Sequence, residues 1–212
     1  MSFDVICFDC DSTLSKIEGI DELAKRVGLG DAMAKLTDAA MNGLVPLEAV
    51  YGQRLDLIRP DQAGMVWLAD CYIEHIVAGV SDVFKALAAQ NKQIHIISGG
   101  LRPAILPLAQ LLGLPESHVH AVDIYFNADG SYRDYEQDSP LARTGGKALV
   151  AAMLGKHGSL VMVGDGKTDM EAKQAGAYTI GFGGVVERAI VRELADVYIA
   201  DASLAAVLTH IL

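Results

Sequence analysis

The sequence predicts an α/β fold: a doubly wound, mostly parallel sheet with an inserted helical cap. Short apolar runs rich in β-branched residues recur along the chain, and helix-length amphipathic stretches separate them. Runs of this kind predict buried parallel strands joined by crossover helices. The alternation stops between the first run and Ser81, where the pattern is helical and broken by glycines and prolines. We therefore expect core segments at residues 1–14 and 78–212 and a helical cap at residues 15–77.

Each element has a local signal in the sequence. The apolar runs predict strands at residues 5–8, 94–97, 160–163, 178–182 and 197–199. In the cap, helical periodicity predicts four helices, at 16–27, 31–42, 47–58 and 61–77. Alternating residues on both sides of an Asn-Ala-Asp-Gly turn at 127–130 predict a β-hairpin. Open α/β sheets bind ligands beyond the carboxyl ends of their strands, so the loops that follow strands are the candidate site.

Composition and charge narrow the class of protein. Of 212 residues 51% are apolar and 21% charged, which is typical of a folded globular chain. The formal charge of −10 would repel a phosphate backbone, so we expect no nucleic-acid partner. The uncharged apolar stretches are shorter than the ~20 residues of a spanning helix, so we expect no membrane partner. Without a signal-peptide pattern, and with three cysteines, the sequence predicts a cytoplasmic protein and leaves monomer or homodimer open.

Cys7 and Cys10 form a CxxC spacing that needs a separate explanation. Positions three apart on a strand point to opposite faces and lie ~10 Å apart, too far for a disulfide. A second cysteine pair that would complete a zinc site is absent from the sequence. We therefore set a redox or zinc function aside.

The first candidate loop carries Asp9 and Asp11 directly after an apolar strand. Two carboxylates in one loop are costly unless a cation lies between or beside them. Mg²⁺ prefers such hard oxygen ligands and would hold a phosphate dianion against a carboxylate. The alternative is that Asp11 or Ser12 caps the following helix. The local pattern leaves both open.

Two further loops follow strands. Ser98 and two glycines come after the isoleucine-rich run, where the backbone can approach an anion closely, although such a sequence is also an ordinary turn. The stretch GDGKTD ends like a phosphate-binding P-loop, but Val161 occupies the position of the first glycine and excludes that motif. Asp165 therefore suits a metal ligand, whereas Asp169 could be a dipole partner at a helix start.

Lys147 follows two glycines at the predicted start of a helix that reaches Leu154. Cations are unfavourable at helix N-termini, so a lysine there suggests an anionic partner. The alternative is a solvated surface lysine. The six histidines show no metal-ligand spacing, with His118 and His120 in an expected strand, and we give none a catalytic role.

Taken together, DCDST, SGG, a later lysine and GDGKTDM, in this order, resemble the four motifs of the haloacid-dehalogenase superfamily of phosphatases. Stretches such as EGIDELA, AMNGLVP, TGGK and IGFGG resemble the members that hydrolyse O-phospho-L-serine. The resemblance covers residues 8–184, including the cap. It implies a Rossmann-like core and a Mg²⁺-dependent phosphomonoester hydrolase with a small-molecule substrate.

The resemblance also implies roles for core residues. Asp9 would be the nucleophile, because a carboxylate is ionised at neutral pH and needs no activating base. Asp11 would act as general acid and base. The metal would be held by the side chains of Asp9 and Asp165 and the main-chain carbonyl of Asp11. Ser98, the amide of Gly99 and Lys147 would bind the phosphoryl oxygens, and Thr168 and Asp169 would support these groups.

In the cap, the resemblance implies that Glu18 binds the substrate ammonium and Arg54 its carboxylate, while Met41 and the amide of Asn42 cover it. Each charged residue has an alternative. Arg54 shares an apolar helical face with Leu47, Tyr51 and Ile58, where an arginine can snorkel to the surface, and Ser15-x-x-Glu18 is a capping box. Asn42 and Lys167 depart from the family pattern, which often has glycine and a small residue there.

Two other functions remain open at this stage. The same chemistry could transfer the phosphoryl group to a small alcohol such as homoserine, or hydrolyse another small phosphomonoester. A non-catalytic phosphate-binding regulator is the third hypothesis. Such a protein should have lost an acid at position 9 or 11, and this chain keeps both.

Overall fold

The structure is a computed structural model, and it describes residues 2–212. A six-stranded sheet forms the core, in the order β3-β2-β1-β6-β7-β8, and every pair in it is parallel. Its strands are β1 (Val5–Phe8), β2 (Gln93–Leu101), β3 (Val119–Val122), β6 (Leu160–Gly164), β7 (Tyr178–Phe182) and β8 (Val197–Ile199). A separate antiparallel hairpin contains β4 (Ile124–Phe126) and β5 (Tyr132–Tyr135). The predicted α/β class and the predicted hairpin are therefore confirmed.

Ten α-helices accompany these strands in the described residues. They are α1 (Gly19–Arg26), α2 (Gly30–Met41), α3 (Leu47–Ile58), α4 (Gln62–Glu74), α5 (Val80–Ala89), α6 (Arg102–Leu111), α7 (Gly146–Leu154), α8 (Lys167–Met170), α9 (Ala189–Leu194) and α10 (Leu208–Ile211). Within residues 2–212, none of the helices has the length and apolar character needed to cross a membrane.

The sheet is wound in two directions from its centre. β1 pairs with β2 on one side and β6 on the other, and all residues of β1 and β6 are buried. Because both faces of these strands are covered, their sequences are continuously apolar instead of alternating between apolar and polar residues. The point where the strand order reverses lies at β1, which is where such sheets bind ligands.

One strand differs from the prediction at its end. β2 continues to Leu101, so Ser98 and both glycines lie in the strand and not in a loop after it. The pairing of β2 with β3 shifts register between Ile97 and Leu101, which is a bulge-like irregularity. The chain therefore stays extended up to Leu101, although its last residues are not paired regularly with β3.

Helices α1 to α4 correspond to the four predicted in the cap: α3 has the predicted bounds, α2 is shifted by one residue, and α1 and α4 are shorter than predicted. α4 stops at Glu74 because the next residues pair with the chain that leaves β1: Ser15 and Ile76 form an antiparallel bridge. The Val77 N–H donates to the Leu14 carbonyl and the Lys16 N–H to the His75 carbonyl, each at 2.9 Å. The two connections between cap and core are thus joined to each other.

The hairpin supports the cap from the core side. The Gln62 N–H, at the start of α4, donates to the Gly130 carbonyl of the hairpin turn at 2.9 Å. The rings of Tyr51 in α3 and Tyr135 in β5 lie 5.2 Å apart, which is typical of a favourable aromatic pair. These contacts hold α3 and α4 over the carboxyl edge of the sheet.

Candidate active site

The carboxyl ends of β1 and β6 bring two aspartates together. Asp9 directly follows β1 and Asp165 directly follows β6, and both side chains are buried. The strands are neighbours in register, and the Asp9 N–H donates to the Val163 carbonyl at 2.9 Å. Parallel pairing therefore places residues that are far apart in sequence at one edge of the sheet.

Asp9, Asp165 and Asp169 form a buried carboxylate cluster whose ligand oxygens all lie within 4.8 Å of one another. Burial, and then the charge of Asp9, raise the pKa of Asp165 to about 8. Burial likewise raises the pKa of Asp169 to about 7, although Lys147 opposes the shift. Three carboxylates in such a place fit a bound metal cation, which would favour the ionised forms of Asp165 and Asp169. Asp169 is an addition to the predicted ligand set.

Lys147 lies in the first turn of α7 and is only 7% exposed. Its Nζ is 2.6 Å from Asp169 Oδ1 and 2.8 Å from Asp9 Oδ1. Burial alone would lower the pKa of this lysine, but the two carboxylates raise it. The surface-lysine alternative is therefore wrong. The preceding Gly146 must be small, because a Cβ there would collide with the Pro140 carbonyl.

Asp11 faces a different set of partners from Asp9. Its carboxylate accepts hydrogen bonds from the Gly19 N–H at 2.6 Å, the Tyr72 hydroxyl at 2.8 Å and the Ser98 hydroxyl at 3.3 Å. Burial, and then the charge of Asp9, raise the pKa of Asp11 to about 6. A carboxyl group with a pKa near neutrality suits proton transfer. One of these donors, the Gly19 N–H, belongs to the first residue of α1. Asp11 therefore does cap the following helix, as the alternative predicted, but it also contacts Tyr72 and Ser98.

Asp9, Asp11 and Lys147 line one cavity between the cap and the sheet, with an empty volume of about 700 Å³ including solvent at its mouth, whereas Asp165 and Asp169 are not among its lining residues. Its lining contains nine of the predicted site residues: Asp9, Asp11, Glu18, Met41, Arg54, Ser98, Gly99, Lys147 and Thr168. Asn42 is not among the lining residues. Its N–H donates to the Asp38 carbonyl at 3.0 Å at the end of α2, so the amide predicted for substrate binding is engaged within the cap.

Arg54 is buried on the apolar face of α3, with 4% exposure, so the snorkelling alternative is wrong. Its Nη1 donates to the Thr37 hydroxyl at 3.2 Å. Its Nε is buried and has no hydrogen-bond partner among residues 2–212. A buried guanidinium with an unsatisfied donor is costly, which indicates a place for an anionic ligand group.

Glu18 is the N-cap residue of α1, and the capping-box alternative is wrong. The Ser15 hydroxyl donates to the main-chain carbonyl of Tyr72 at 3.1 Å instead of to the helix start. Glu18 Oε1 accepts from the Ser12 hydroxyl at 2.7 Å. Burial, followed by the charges of Asp11 and other acids, raises the pKa of Glu18 well above its ordinary value.

Sequence reasoning missed Arg188 and Tyr72. The buried Arg188 lies 3.3 Å from Asp165, 3.0 Å from Asp38 and 3.9 Å from Glu18, and so joins the core acids to the cap. Its partners Glu18 and Asp38 lie far from it in sequence, and no local pattern marks it. Tyr72 occupies a position of α4 that is indistinguishable from any buried core aromatic until its hydroxyl is seen on Asp11.

Lys167, a departure from the family pattern, contacts the cap. Its aliphatic stem fills the space that a Cβ on Gly43 would need. Gly43 has a φ of 70° and ends α2, with its N–H donating to the Ala40 carbonyl at 2.9 Å and the next N–H to the Ala39 carbonyl. This arrangement is a Schellman motif, which favours glycine. The loop after β6 and the end of α2 are therefore packed directly together.

The fold and the site define a hydrolase of the haloacid dehalogenase class, and a model of haloacid dehalogenase-like hydrolases matches residues 3–176. Phosphoserine phosphatase of Bos taurus is 40% identical over 203 residues, which are 94% of this chain and 90% of that protein. A substrate-bound phosphoserine phosphatase structure has a TM-score of 0.85 at 25% identity, with both chains fully covered. A phosphoserine phosphohydrolase-like protein from Francisella tularensis shares the fold, with a TM-score of 0.86 at 24% identity and full coverage of both chains. The chain belongs to the haloacid dehalogenase-like hydrolases, and among them to the phosphoserine phosphatase family.

Proposed function

We propose that this chain hydrolyses O-phospho-L-serine to L-serine and phosphate, with Mg²⁺ as its cofactor. The observation that carries the proposal is a single cavity lined both by an aspartate pair and by a buried guanidinium whose Nε has no hydrogen-bond partner among residues 2–212. Asp9 and Asp11 suit phosphoryl chemistry, Arg54 presents a positive charge to the rest of the ligand, and Glu18 offers a carboxyl group that a bound ammonium would keep ionised. A zwitterionic phosphomonoester matches that distribution of charge.

The reaction begins with Asp9. Its carboxylate attacks phosphorus while the bond from phosphorus to the seryl oxygen breaks, giving an aspartyl phosphate. Protonated Asp11 gives its proton to the departing seryl oxygen. Asp11 then takes a proton from the water that attacks the aspartyl phosphate, and inorganic phosphate and the Asp9 carboxylate are released. A pKa of about 6 for Asp11 is suited to both proton transfers at neutral pH.

The transferring phosphoryl group needs positive charge and hydrogen-bond donors. Lys147, held between Asp9 and Asp169, supplies the charge from a position that is already fixed before the substrate binds. The Ser98 hydroxyl, the Gly99 N–H and Thr168 supply further donors around the same end of the cavity. Fixed donors of this kind stabilise charge as it develops on the phosphoryl oxygens.

The acidic cluster fits Mg²⁺ by its donor chemistry. Side-chain oxygens of Asp9 and Asp165 and the main-chain carbonyl of Asp11 would hold the ion, and Asp169 offers one more oxygen. Asp9 Oδ1 forms an ion pair with Lys147 and accepts no well-aligned hydrogen bond from any of residues 2–212. A lone pair of this oxygen is therefore available to a metal ion. When bound, Mg²⁺ reduces the repulsion between the phosphate dianion and the attacking carboxylate.

In the cap, Arg54 binds the substrate carboxylate and Glu18 its ammonium, while Met41 covers the amino-acid backbone. The buried Nε of Arg54, which has no hydrogen-bond partner among residues 2–212, supports the first assignment. Residues 15–77 act as a cap on a core made of 1–14 and 78–212. The three free cysteines agree with a cytoplasmic location, which is part of the same proposal.

A phosphate-release assay with four substrates tests this function: phosphoserine, phosphothreonine, phosphoethanolamine and an aryl phosphate, each with Mg²⁺ and with chelator. We expect the highest kcat/KM for phosphoserine and loss of turnover with chelator. Equal turnover of phosphoserine and the aryl phosphate would contradict the substrate. Formation of phosphohomoserine when homoserine is added would favour phosphotransfer over hydrolysis.

A further inference from the structure

Three cap helices contribute to one buried hydrogen-bond chain that ends at Arg54. Arg54 Nη1, from α3, donates to the hydroxyl of Thr37, from α2, at 3.2 Å. That hydroxyl donates to Asp21 Oδ1, from α1, at 2.6 Å. The exposed fractions of the three side chains are 4%, 3% and 9%. The direction of the chain is fixed, because a guanidinium can only donate and a carboxylate can only accept.

Arg54 is a buried cation without a direct counter-ion. No acidic oxygen lies within 4.0 Å of its guanidinium nitrogens in the part of the chain that the structure describes. The Thr37 hydroxyl separates Asp21 from it, so the negative charge favours the guanidinium without occupying it. A direct Asp21–Arg54 pair would use the donors that a ligand carboxylate needs.

The chain also selects which edge of the guanidinium is free. A carboxylate binds a guanidinium best through two parallel N–H donors. The Thr37 hydroxyl accepts from Nη1, so the edge formed by Nε and Nη2 makes no hydrogen bond with residues 2–212, and Nε is buried. Tyr51 lies on one face of the group, with the guanidinium carbon 5.8 Å from the ring centroid. Its hydroxyl donates to the Gly99 carbonyl at 2.8 Å and so holds α3 against the phosphate end of the site.

We propose that Asp21, acting through Thr37, is the positioning group that fixes Arg54 with its Nε edge toward the cavity, and thereby sets the preference for phosphomonoesters that carry a carboxylate. This inference rests on the proposed function, in which Arg54 binds that carboxylate. Hydrogen bonds along such a chain polarise one another, so the Thr37 hydroxyl couples the Asp21 charge to Arg54. Burial raises the pKa of Asp21, and the hydrogen bond from Thr37 opposes that shift.

A structural role for the same chain makes a different prediction. If Asp21 and Thr37 only join the three helices, removing the hydroxyl should loosen the cap and harm all substrates alike. If they position Arg54, the loss should fall on substrates with a carboxylate. Phosphoethanolamine shares the phosphate and ammonium of phosphoserine and lacks the carboxylate, so the ratio of kcat/KM values for the two substrates separates the two roles.

The experiment uses Thr37→Val, which keeps the shape and removes the hydroxyl, and Thr37→Ser, which keeps the hydroxyl. With Thr37→Val we expect kcat/KM for phosphoserine to fall about tenfold to 100-fold, mainly through KM, because a charge-assisted contact becomes misaligned. The value for phosphoethanolamine should change less than twofold. Thr37→Ser should keep most of the selectivity. Asp21→Asn, which removes only the charge, should lower the phosphoserine value in the same direction.

Thr179→Val is a matched control. Thr179 lies in β7, away from the cap, and its buried hydroxyl also donates to an aspartate, Asp196 Oδ2, at 2.9 Å. This variant should lower thermal stability and leave the substrate ratio unchanged. If folded Thr37→Val and Asp21→Asn lose the same factor in kcat/KM on both substrates, so that the ratio is unchanged, the inference is overturned. Arg54→Ala is measured alongside: if it harms both substrates equally, the carboxylate assignment fails, whereas a selective Arg54→Ala with non-selective Thr37→Val refutes only the positioning role.

Discussion

Replacing Lys147 with methionine removes one charge from the centre of the site and keeps the volume of the stem. In the folded protein its Nζ is within 2.8 Å of Asp9 Oδ1 and 2.6 Å of Asp169 Oδ1, with almost no solvent access. At these distances and an effective dielectric of about 20, each pair has a gross attraction of about 6 kcal/mol. Desolvation offsets much of this attraction, and breaking a buried pair typically leaves a net loss of about 3–5 kcal/mol in the free energy of unfolding.

The effect on catalysis should be separate from the effect on stability. Lys147 stabilises charge that develops on the phosphoryl oxygens, and removal of one preorganised group of this kind costs about 10²- to 10³-fold in kcat. The assay is phosphate release from phosphoserine at saturating Mg²⁺, at a temperature where thermal unfolding shows the variant to be folded. Lys156→Met is the matched control, since Lys156 is an exposed lysine just beyond the same helix. A wild-type kcat in folded Lys147→Met would refute the reasoning.

Three more results are expected. Asp9→Asn should abolish turnover and keep the fold, since it removes the nucleophile at nearly constant volume; substantial phosphate release by the folded variant would contradict the covalent mechanism. The pKa of Asp165, about 8 when folded against an ordinary 3.8, gives the metal-free protein stability that is present below pH 4 and lost as pH rises through about 8. Mg²⁺ should therefore raise the unfolding temperature more at pH 8 than at pH 6, and Asp165→Asn should remove this difference. Burial, and then the neighbouring His118 and His120, lower the pKa of His95 to about 4, so stability present above pH 6.5 should fall as pH drops toward 4, and a flat profile in that window would exclude the effect.

The strands and the core acids could be anticipated from the sequence because their signals are local. Apolar runs predict buried strands, and an acid directly after such a run must lie at the carboxyl edge of the sheet, as Asp9 and Asp165 do. Lys147 was also recognisable locally, because a cation at the start of a helix is unfavourable without an anionic partner. Its contacts with two carboxylates supply that partner. The functional roles of these residues remain predictions until the variants are measured.

The features that were missed depend on contacts between distant segments. Arg188 forms its ion pairs only because the fold brings α2 and the loop after β6 together, and no periodicity in the sequence encodes that contact. Asn42 was expected to offer its amide to a ligand, but its N–H donates to the Asp38 carbonyl in the last turn of α2. The end of β2 was placed too early, because its last residues leave regular pairing through a register shift and not through a turn.

The backbone bridge between Ser15 and Ile76 makes the cap an exchangeable module. Residues directly opposite in an antiparallel bridge have Cα atoms about 4.5–5.5 Å apart, so a turn of two residues could join them and omit everything between. The sheet would keep all its strands, because no strand of it lies between these two positions. Insertions of other lengths could be grafted at the same junction, provided that they replace the hydrogen bonds that Gly19 and Tyr72 donate to Asp11.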